Sequence, residues 1–97
     1  MDGWRDFLFL CSECESPQQL EELFALFLTL EEKEDIGKRV LLVKHLMEKK
    51  LSQREIAGKY HVSIAKITRG SNALKIIKCE LKEFITRCFT KSAKKPS

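Results

Sequence analysis

The sequence has few of the residues and patterns that favour β-strands or a membrane location. It contains one tyrosine, and its few valines and threonines form no alternating run bounded by turn residues. No apolar stretch approaches the roughly 20 residues that a membrane-spanning helix needs. The N-terminus carries acidic residues where an export signal needs positive charge. These absences predict an all-α protein that stays in the cytoplasm and has no membrane partner.

Residue sets typical of catalysis or metal binding are also scarce. There is no cysteine–histidine or serine–histidine set in a suggestive local frame, and no glycine-rich phosphate loop. Cys11 and Cys14 have ligand-like spacing, but Cys79 and Cys88 do not complete a second pair. We therefore expect a protein that is not an enzyme, with no bound metal and with reduced, partly buried thiols.

Charge is distributed unevenly along the 97 residues. Residues 1–35 hold ten acidic and two basic residues, a net of −8, whereas residues 36–97 hold four acidic and sixteen basic residues, a net of +12. The two values give the +4 of the whole chain. A basic half this pronounced favours a polyanionic partner, although a solvated basic face would have the same composition.

Apolar residues recur at helical spacing along most of the chain and predict six helices. Thr29 and Glu32 form a potential capping box at the start of the third helix, in which Ile36 and Val40 lie on a core edge. The last helix is predicted from Glu80 to Phe89, and its inward residues are Leu81, Phe84, Ile85 and Phe89.

Six phenylalanines and one tryptophan are more aromatic surface than a helical monomer of this length easily buries. We expect a single helical domain over residues 1–97 that forms a homodimer through its end helices. Residues 1–50 and 79–89 would form the dimer core, residues 51–76 a DNA reader, and residues 90–97 a flexible basic tail.

The stretch from Leu51 to Asn72 has the layout of a helix-turn-helix. Ser52 and Glu55 form a potential capping box, and Ser63 is placed to cap a second helix after a turn at His61. Ile56 and Ile67 are expected in the core, and Tyr60 is expected on the inward face of the first of these helices. In this interpretation the start of the second helix enters the major groove. The predicted DNA-binding residues are Gln53, Arg54, Ser63, Ile64, Ala65, Lys66, Thr68, Asn72 and Lys75.

One glycine interrupts this pattern. Gly70 follows Arg69 at a position where a second helix of this kind usually carries an apolar packing residue. Glycine costs a helix interior about 1 kcal/mol relative to alanine, so its presence indicates a close approach to the backbone.

Several segments together resemble the bacterial tryptophan repressor family. They are LTLEEKEDIGKRV at residues 28–40, LSQRE at 51–55 and ITRGSNALK at 67–75, with Glu80-Leu81 and Trp4 in keeping. The resemblance covers roughly residues 4–89, and the combination of IGKRV with ITRGSN is highly specific.

The resemblance implies an intertwined, six-helix homodimer of the bacterial cytoplasm that binds operator DNA when L-tryptophan, its corepressor, is bound. It further implies that Arg39 and Arg69 stack on the indole, and that Arg69 and the Thr29 hydroxyl hold the carboxylate. Gly70 would let the indole approach the helix. The complete implied ligand set is Leu26, Leu28, Thr29, Arg39, Arg69, Gly70 and Ala73, with carbonyls near the two leucines facing the ammonium group.

Three positions depart from the family pattern. Ala73 stands where the family commonly has a serine that helps hold the ammonium group, so we expect weaker recognition of that group. Lys66 replaces a small hydroxyl residue, which adds a charge beside the DNA. Leu30 replaces a proline at the start of the third helix, a change expected to be mild.

Two other functions remain compatible with the sequence. The chain could bind DNA through its helix-turn-helix without any ligand, having kept the reader and changed the pocket. Alternatively, it could be a helical dimerisation module that does not bind DNA, in which case no salt-dependent DNA affinity is expected.

Overall fold

The computed structural model describes residues 2–93, which form six α-helices and, within that range, no strand. The all-α prediction is therefore confirmed. The helices are α1 (Gly3–Glu13), α2 (Pro17–Phe27), α3 (Leu30–Glu48), α4 (Gln53–Tyr60), α5 (Ile64–Ile76) and α6 (Cys79–Ala93). Across the described residues, no helix is long and apolar enough to cross a membrane.

Short polar residues begin most of these helices. The Ser16 hydroxyl accepts from the Gln19 N–H before Pro17, whose fixed φ suits a first helical position. Before α3, the Thr29 hydroxyl accepts from the Glu32 N–H at 3.1 Å, and a Glu32 carboxylate oxygen accepts from the Thr29 N–H at 2.9 Å. This reciprocal pair confirms the capping box predicted at Thr29.

The contacts of one chain group into two compact units, residues 1–35 and 36–97. The division falls inside α3, between Asp35 and Ile36, and coincides with the change from net negative to net positive charge. No linker segment separates the units, because α3 is continuous. The single-domain arrangement stays a prediction.

Aromatic rings pack together in the first unit, and no residue between positions 2 and 35 is buried. The Phe7 ring lies 5.6 Å from the Trp4 ring, 5.9 Å from Phe24 and 5.8 Å from Phe27, measured between centroids. Trp4 nevertheless remains 65% exposed and Phe27 50% exposed. Within one chain, this unit leaves much of its apolar surface in water.

The second unit has a small closed core. Ile56 and Ile67 are completely buried and pack with Leu42, which is 6% exposed. The core positions predicted for Ile56 and Ile67 are thus confirmed. Ile36 and Val40, which the periodicity of α3 also placed on a core edge, are exposed in the chain because its described contacts put Leu42 innermost.

The last helix is longer than its sequence pattern indicated. It runs from Cys79 to Ala93, whereas the apolar spacing predicted Glu80 to Phe89. Ile85 and Phe89 are half-buried as expected, but the predicted inward residues Leu81 and Phe84 are exposed. The first residues of the predicted tail therefore continue the helix, and residues 94–97 lie outside the described part of the chain.

Candidate functional site

The helices α4 and α5 meet at a tight, locally determined turn. Ser52 and Glu55 form the predicted capping box at the start of α4, with both hydrogen bonds at 3.1 Å. His61 ends α4 in the left-handed conformation, with φ 54° and ψ 44°, and the His61 N–H donates to the Ala57 carbonyl. The Ser63 hydroxyl then accepts from the Lys66 N–H at 3.2 Å and caps α5. All three local predictions are confirmed.

The capping box lowers the pKa of the Glu55 carboxyl below its ordinary value. The largest cause is the hydrogen bond that the carboxylate accepts from the Ser52 backbone, followed by that with the Ser52 side chain. Both bonds favour the charged form, whereas the slight desolvation opposes it. A negative charge is also favourable beside the positive end of the helix dipole.

All nine predicted DNA-binding residues are exposed on this helix pair. Ile64, Thr68, Asn72 and Lys75 follow one another at intervals of four, four and three residues, which places them on one face of α5. Ala65 lies beside this face, whereas Ile67 lies on the buried one. The remaining members lie before α5 or on a neighbouring face, and they are Gln53, Arg54, Ser63 and Lys66.

A second exposed face of α5 carries Arg69 and Ala73. Lys66 precedes Arg69 by three residues and Ala73 follows it by four, so helix geometry aligns all three. This face is separate from the one that carries Thr68 and Asn72. The charge that Lys66 adds therefore lies on the same face as the predicted effector residues, and its place against DNA stays a prediction.

Gly70 lies where α5 packs closely on α3. A Cβ atom added to Gly70 would be 2.9 Å from the Leu42 Cδ2 atom and 3.5 Å from the Leu46 Cδ1 atom. The first distance is shorter than real Cβ contacts allow, so the leucine would have to move. The close approach expected at Gly70 thus has a partner within the chain, the side chain of Leu42.

The other predicted ligand residues are distributed over both units. Four of them belong to the second unit. Arg39 is exposed on α3, and Arg69, Gly70 and Ala73 lie on α5, where only Gly70 is half-buried. In the first unit Thr29 is exposed and its hydroxyl caps α3, while Leu26 is 75% exposed and Leu28 half-buried. The ligand roles of all seven residues stay predictions.

One contact between α3 and α4 was not predicted from the sequence. The His45 Nε2 atom and the Tyr60 hydroxyl form a hydrogen bond, and both side chains are half-buried. Their rings lie 5.3 Å apart at an angle of 41°. Tyr60 was expected on the inward face of α4, but nothing in the helical spacing identified His45, fifteen residues earlier, as its partner.

The cysteines and other possible ligands form no metal site within residues 2–93. All four thiols are free, with Cys11 and Cys14 half-buried and Cys79 and Cys88 exposed. No group of three or more His, Cys, Asp or Glu side chains is arranged to hold a metal ion in that range. The Cys14 thiol donates to the Leu10 carbonyl at 3.4 Å, which indicates a helix-end contact.

Comparison with known proteins relates most of the described chain to one family. A family model described as "Trp repressor protein" matches residues 2–88. The chain is 55% identical over 84 residues to the Trp operon repressor homolog of Chlamydia caviae, covering 87% of this chain and 83% of that relative. The homolog of Chlamydia trachomatis serovar D is 49% identical over 85 residues, which cover 88% of this chain and 90% of that relative. The homolog of Histophilus somni is 38% identical over 85 residues, which cover 88% of this chain and 80% of that relative. The matched range includes both predicted sites.

Proposed function

The chain belongs to the Trp repressor family, whose members are regulators rather than enzymes, and from that premise we propose that it is a tryptophan-responsive repressor of transcription. L-tryptophan would act as its corepressor, and α4 and α5 would read operator DNA as a helix-turn-helix. The observation that carries the proposal is the exposed face of α5, formed by Ile64, Thr68, Asn72 and Lys75 on a helix fixed from behind by Ile67.

The proposed contacts with DNA are of two kinds, apolar contacts with bases and polar contacts with phosphates. Ile64 is 49% exposed and Ala65 is exposed, so their methyl groups are free to contact a thymine methyl. Thr68, Asn72 and Lys75 continue the face along the helix and would hold phosphates. The net charge of +12 over residues 36–97 supports a polyanionic partner.

A homodimer would carry two copies of the helix-turn-helix. Within one chain the described residues fully bury only Ile56 and Ile67, while Trp4, Phe9 and Leu26 remain more than 60% exposed. A second copy packed on these surfaces would remove them from water. The pair of readers would then match successive major grooves, about 34–36 Å apart, the spacing of dimeric helix-turn-helix proteins such as the Trp repressor.

The proposed effector site uses the second face of α5. Arg39 and Arg69 are the guanidinium groups that would stack on the indole, and Arg69 would also meet the carboxylate. Ala73 offers a methyl group where a hydroxyl would assist the ammonium group. A lost hydrogen bond to a charged group is worth about 1.5–3 kcal/mol, so we expect little discrimination against ligands without an amino group.

The direct experiment measures DNA affinity for candidate operator fragments with and without L-tryptophan. We expect tryptophan to raise the affinity by about 5- to 150-fold, the usual range for a ligand coupled to a second site. The affinity should also fall steeply with salt. Arg69→Lys, which keeps the charge but loses the planar fork, should remove most of the tryptophan effect. Arg87→Lys, the same substitution at an exposed position of α6, is the charge-matched control.

One observation favours ligand-independent DNA binding as the second candidate. Gly70 already has a packing reason in its contact with Leu42, so a glycine at this position does not by itself require an indole. If wild-type protein bound operator DNA equally with and without tryptophan, this second function would replace the first. If it bound no DNA at low salt, both would be wrong and a dimerisation module would remain.

A further inference from the structure

The hydrogen bond between His45 and Tyr60 is the only one that joins two side chains within residues 2–93. His45 lies in the last turn of α3 and Tyr60 is the last residue of α4. Every other side-chain hydrogen bond in that range involves the backbone of a residue two to four positions away. The pair is therefore a specific polar connection between two helices.

The position of α4 depends on such connections. The helix has eight residues, which is too short to be stable in isolation. Ile56 anchors its middle by complete burial, and the capping box closes its start. At its end, the Tyr60 hydroxyl bonds to His45, and the Lys59 ammonium lies 5.6 Å from the centroid of the Tyr60 ring.

The chain on either side of α4 is in an unfavourable backbone conformation. Lys49, directly after α3, has φ 58°, and His61, directly after α4, has φ 54°. Neither is a glycine, and the left-handed region is sterically unfavourable for residues that carry a Cβ atom. These two joints border the segment that carries α4, and between them the His45–Tyr60 bond fixes the end of α4 next to the turn into α5.

We propose that His45 and Tyr60 are positioning residues that transmit the state of α3 to the reader. The inference rests on the proposed function, because α3 also carries Arg39, one of the two arginines proposed to hold the effector. With the bond in place, α4 stays packed against α3 when the effector is bound, and α5 is oriented toward DNA. Without the bond, the effector still binds but orients the reader less completely.

The first measurement is the DNA affinity of Tyr60→Phe, which keeps the ring and removes only the hydroxyl. A hydrogen bond contributes about 0.5–1.5 kcal/mol net, so we expect the tryptophan-bound affinity to fall about 2- to 10-fold. The affinity without tryptophan should change less than about 2-fold, since without the effector α5 is not yet oriented for DNA even though the bond holds α4. His45→Gln retains a side-chain partner for the hydroxyl and should restore most of the coupling that His45→Ala loses.

The matched control is Thr86→Val. The Thr86 hydroxyl donates only to the Lys82 carbonyl of its own helix, at 2.8 Å, so its removal tests the loss of a hydroxyl away from the reader. This variant should leave the ratio of affinities with and without tryptophan unchanged. If Tyr60→Phe lowered the melting temperature but also left that ratio unchanged, the pair would have a purely structural role and the proposal would be wrong.

Hydrogen exchange separates this proposal from the proposed function. In the unliganded full-length protein, Tyr60→Phe should speed amide exchange in residues 53–60 about 2- to 10-fold and leave α6 unchanged. Unchanged exchange in α4 would overturn the positioning role whatever the effector does. If wild-type DNA binding showed no tryptophan dependence, the proposed function and the transmission would both be wrong.

Discussion

The two units of this chain differ in how completely they bury their apolar side chains. The second unit closes a core from Leu42, Ile56 and Ile67 within one chain. The first unit stacks its rings around Phe7 but buries no residue completely. The basic unit therefore packs a core within one chain, whereas the acidic unit leaves much of its aromatic surface exposed.

The largest expected effect is the loss of the closed core. Ile67→Ala should lower the free energy of unfolding by about 2–5 kcal/mol, because it leaves a cavity at a completely buried position. Ile64→Ala, on the same helix but 49% exposed, should cost less than about 1 kcal/mol while weakening DNA binding. Urea unfolding followed by circular dichroism measures both. Similar losses for the two variants would contradict the division of α5 into a packing face and a reading face.

The open surface of the first unit gives the next effect. Phe9 is 63% exposed in the chain, and if a second copy covers it, Phe9→Ala should destabilise the dimer by about 2 kcal/mol. Ile76→Ala, at an 84% exposed position within the predicted reader, should change the dimer by less than about 0.5 kcal/mol. Sedimentation at several protein concentrations provides the measurement. Equal dissociation constants for wild type and Phe9→Ala would place the dimer contact elsewhere.

Two helical glycines test the closeness of packing in the second unit. Gly58→Ala has nothing within 4 Å of the new methyl group and should raise stability by about 0.5–1 kcal/mol. Gly70→Ala gains the same helix preference but forces Leu42 aside, at a cost of about 1–3 kcal/mol. We therefore expect Gly70→Ala to be the less stable variant by thermal unfolding. If both variants were equally stable and only Gly70→Ala lost tryptophan binding, the glycine would serve the ligand rather than the packing.

The smallest expected effect is a pH dependence at the start of α4. Because the pKa of Glu55 is lowered from 4.5 in the folded chain, the stability it contributes is present above pH 4.5. That contribution is lost as the pH falls through the lowered folded pKa. Glu55→Gln keeps an acceptor oxygen but cannot titrate, so the gap in unfolding midpoint between wild type and variant should narrow in acid. A gap that stays constant would show that the charge of Glu55 does not matter.

Local signals made much of the fold predictable. Thr29, Ser52 and Ser63 each satisfy the N–H of the third helical residue, an interaction that depends only on neighbours in sequence. The left-handed turn at His61 likewise depends on neighbouring residues. The boundaries of α6 were less predictable, because no cap or glycine marked its end before Ala93.

Helix periodicity predicted which candidate residues are exposed, but it did not predict how the helices that carry them pack. The exposure of Thr68 and Asn72 follows from helix periodicity once Ile67 is known to be buried. By contrast, the pairing of His45 with Tyr60 depends on how α3 and α4 pack, and fifteen residues separate the partners. The ligand roles could be assigned only by resemblance, since Arg39 is exposed and has no local pattern that identifies it.

The six helices, their polar caps, the inward positions of Ile56 and Ile67, and the family all followed from the sequence alone. The helices and caps depend on spacing and short-range hydrogen bonds, whereas the family follows from shared motifs. The packing of Leu42 beside Gly70 and the bond between His45 and Tyr60 depend on tertiary structure. Those contacts arise where two helices cross, and a crossing brings together residues whose separation along the chain carries no periodic signal.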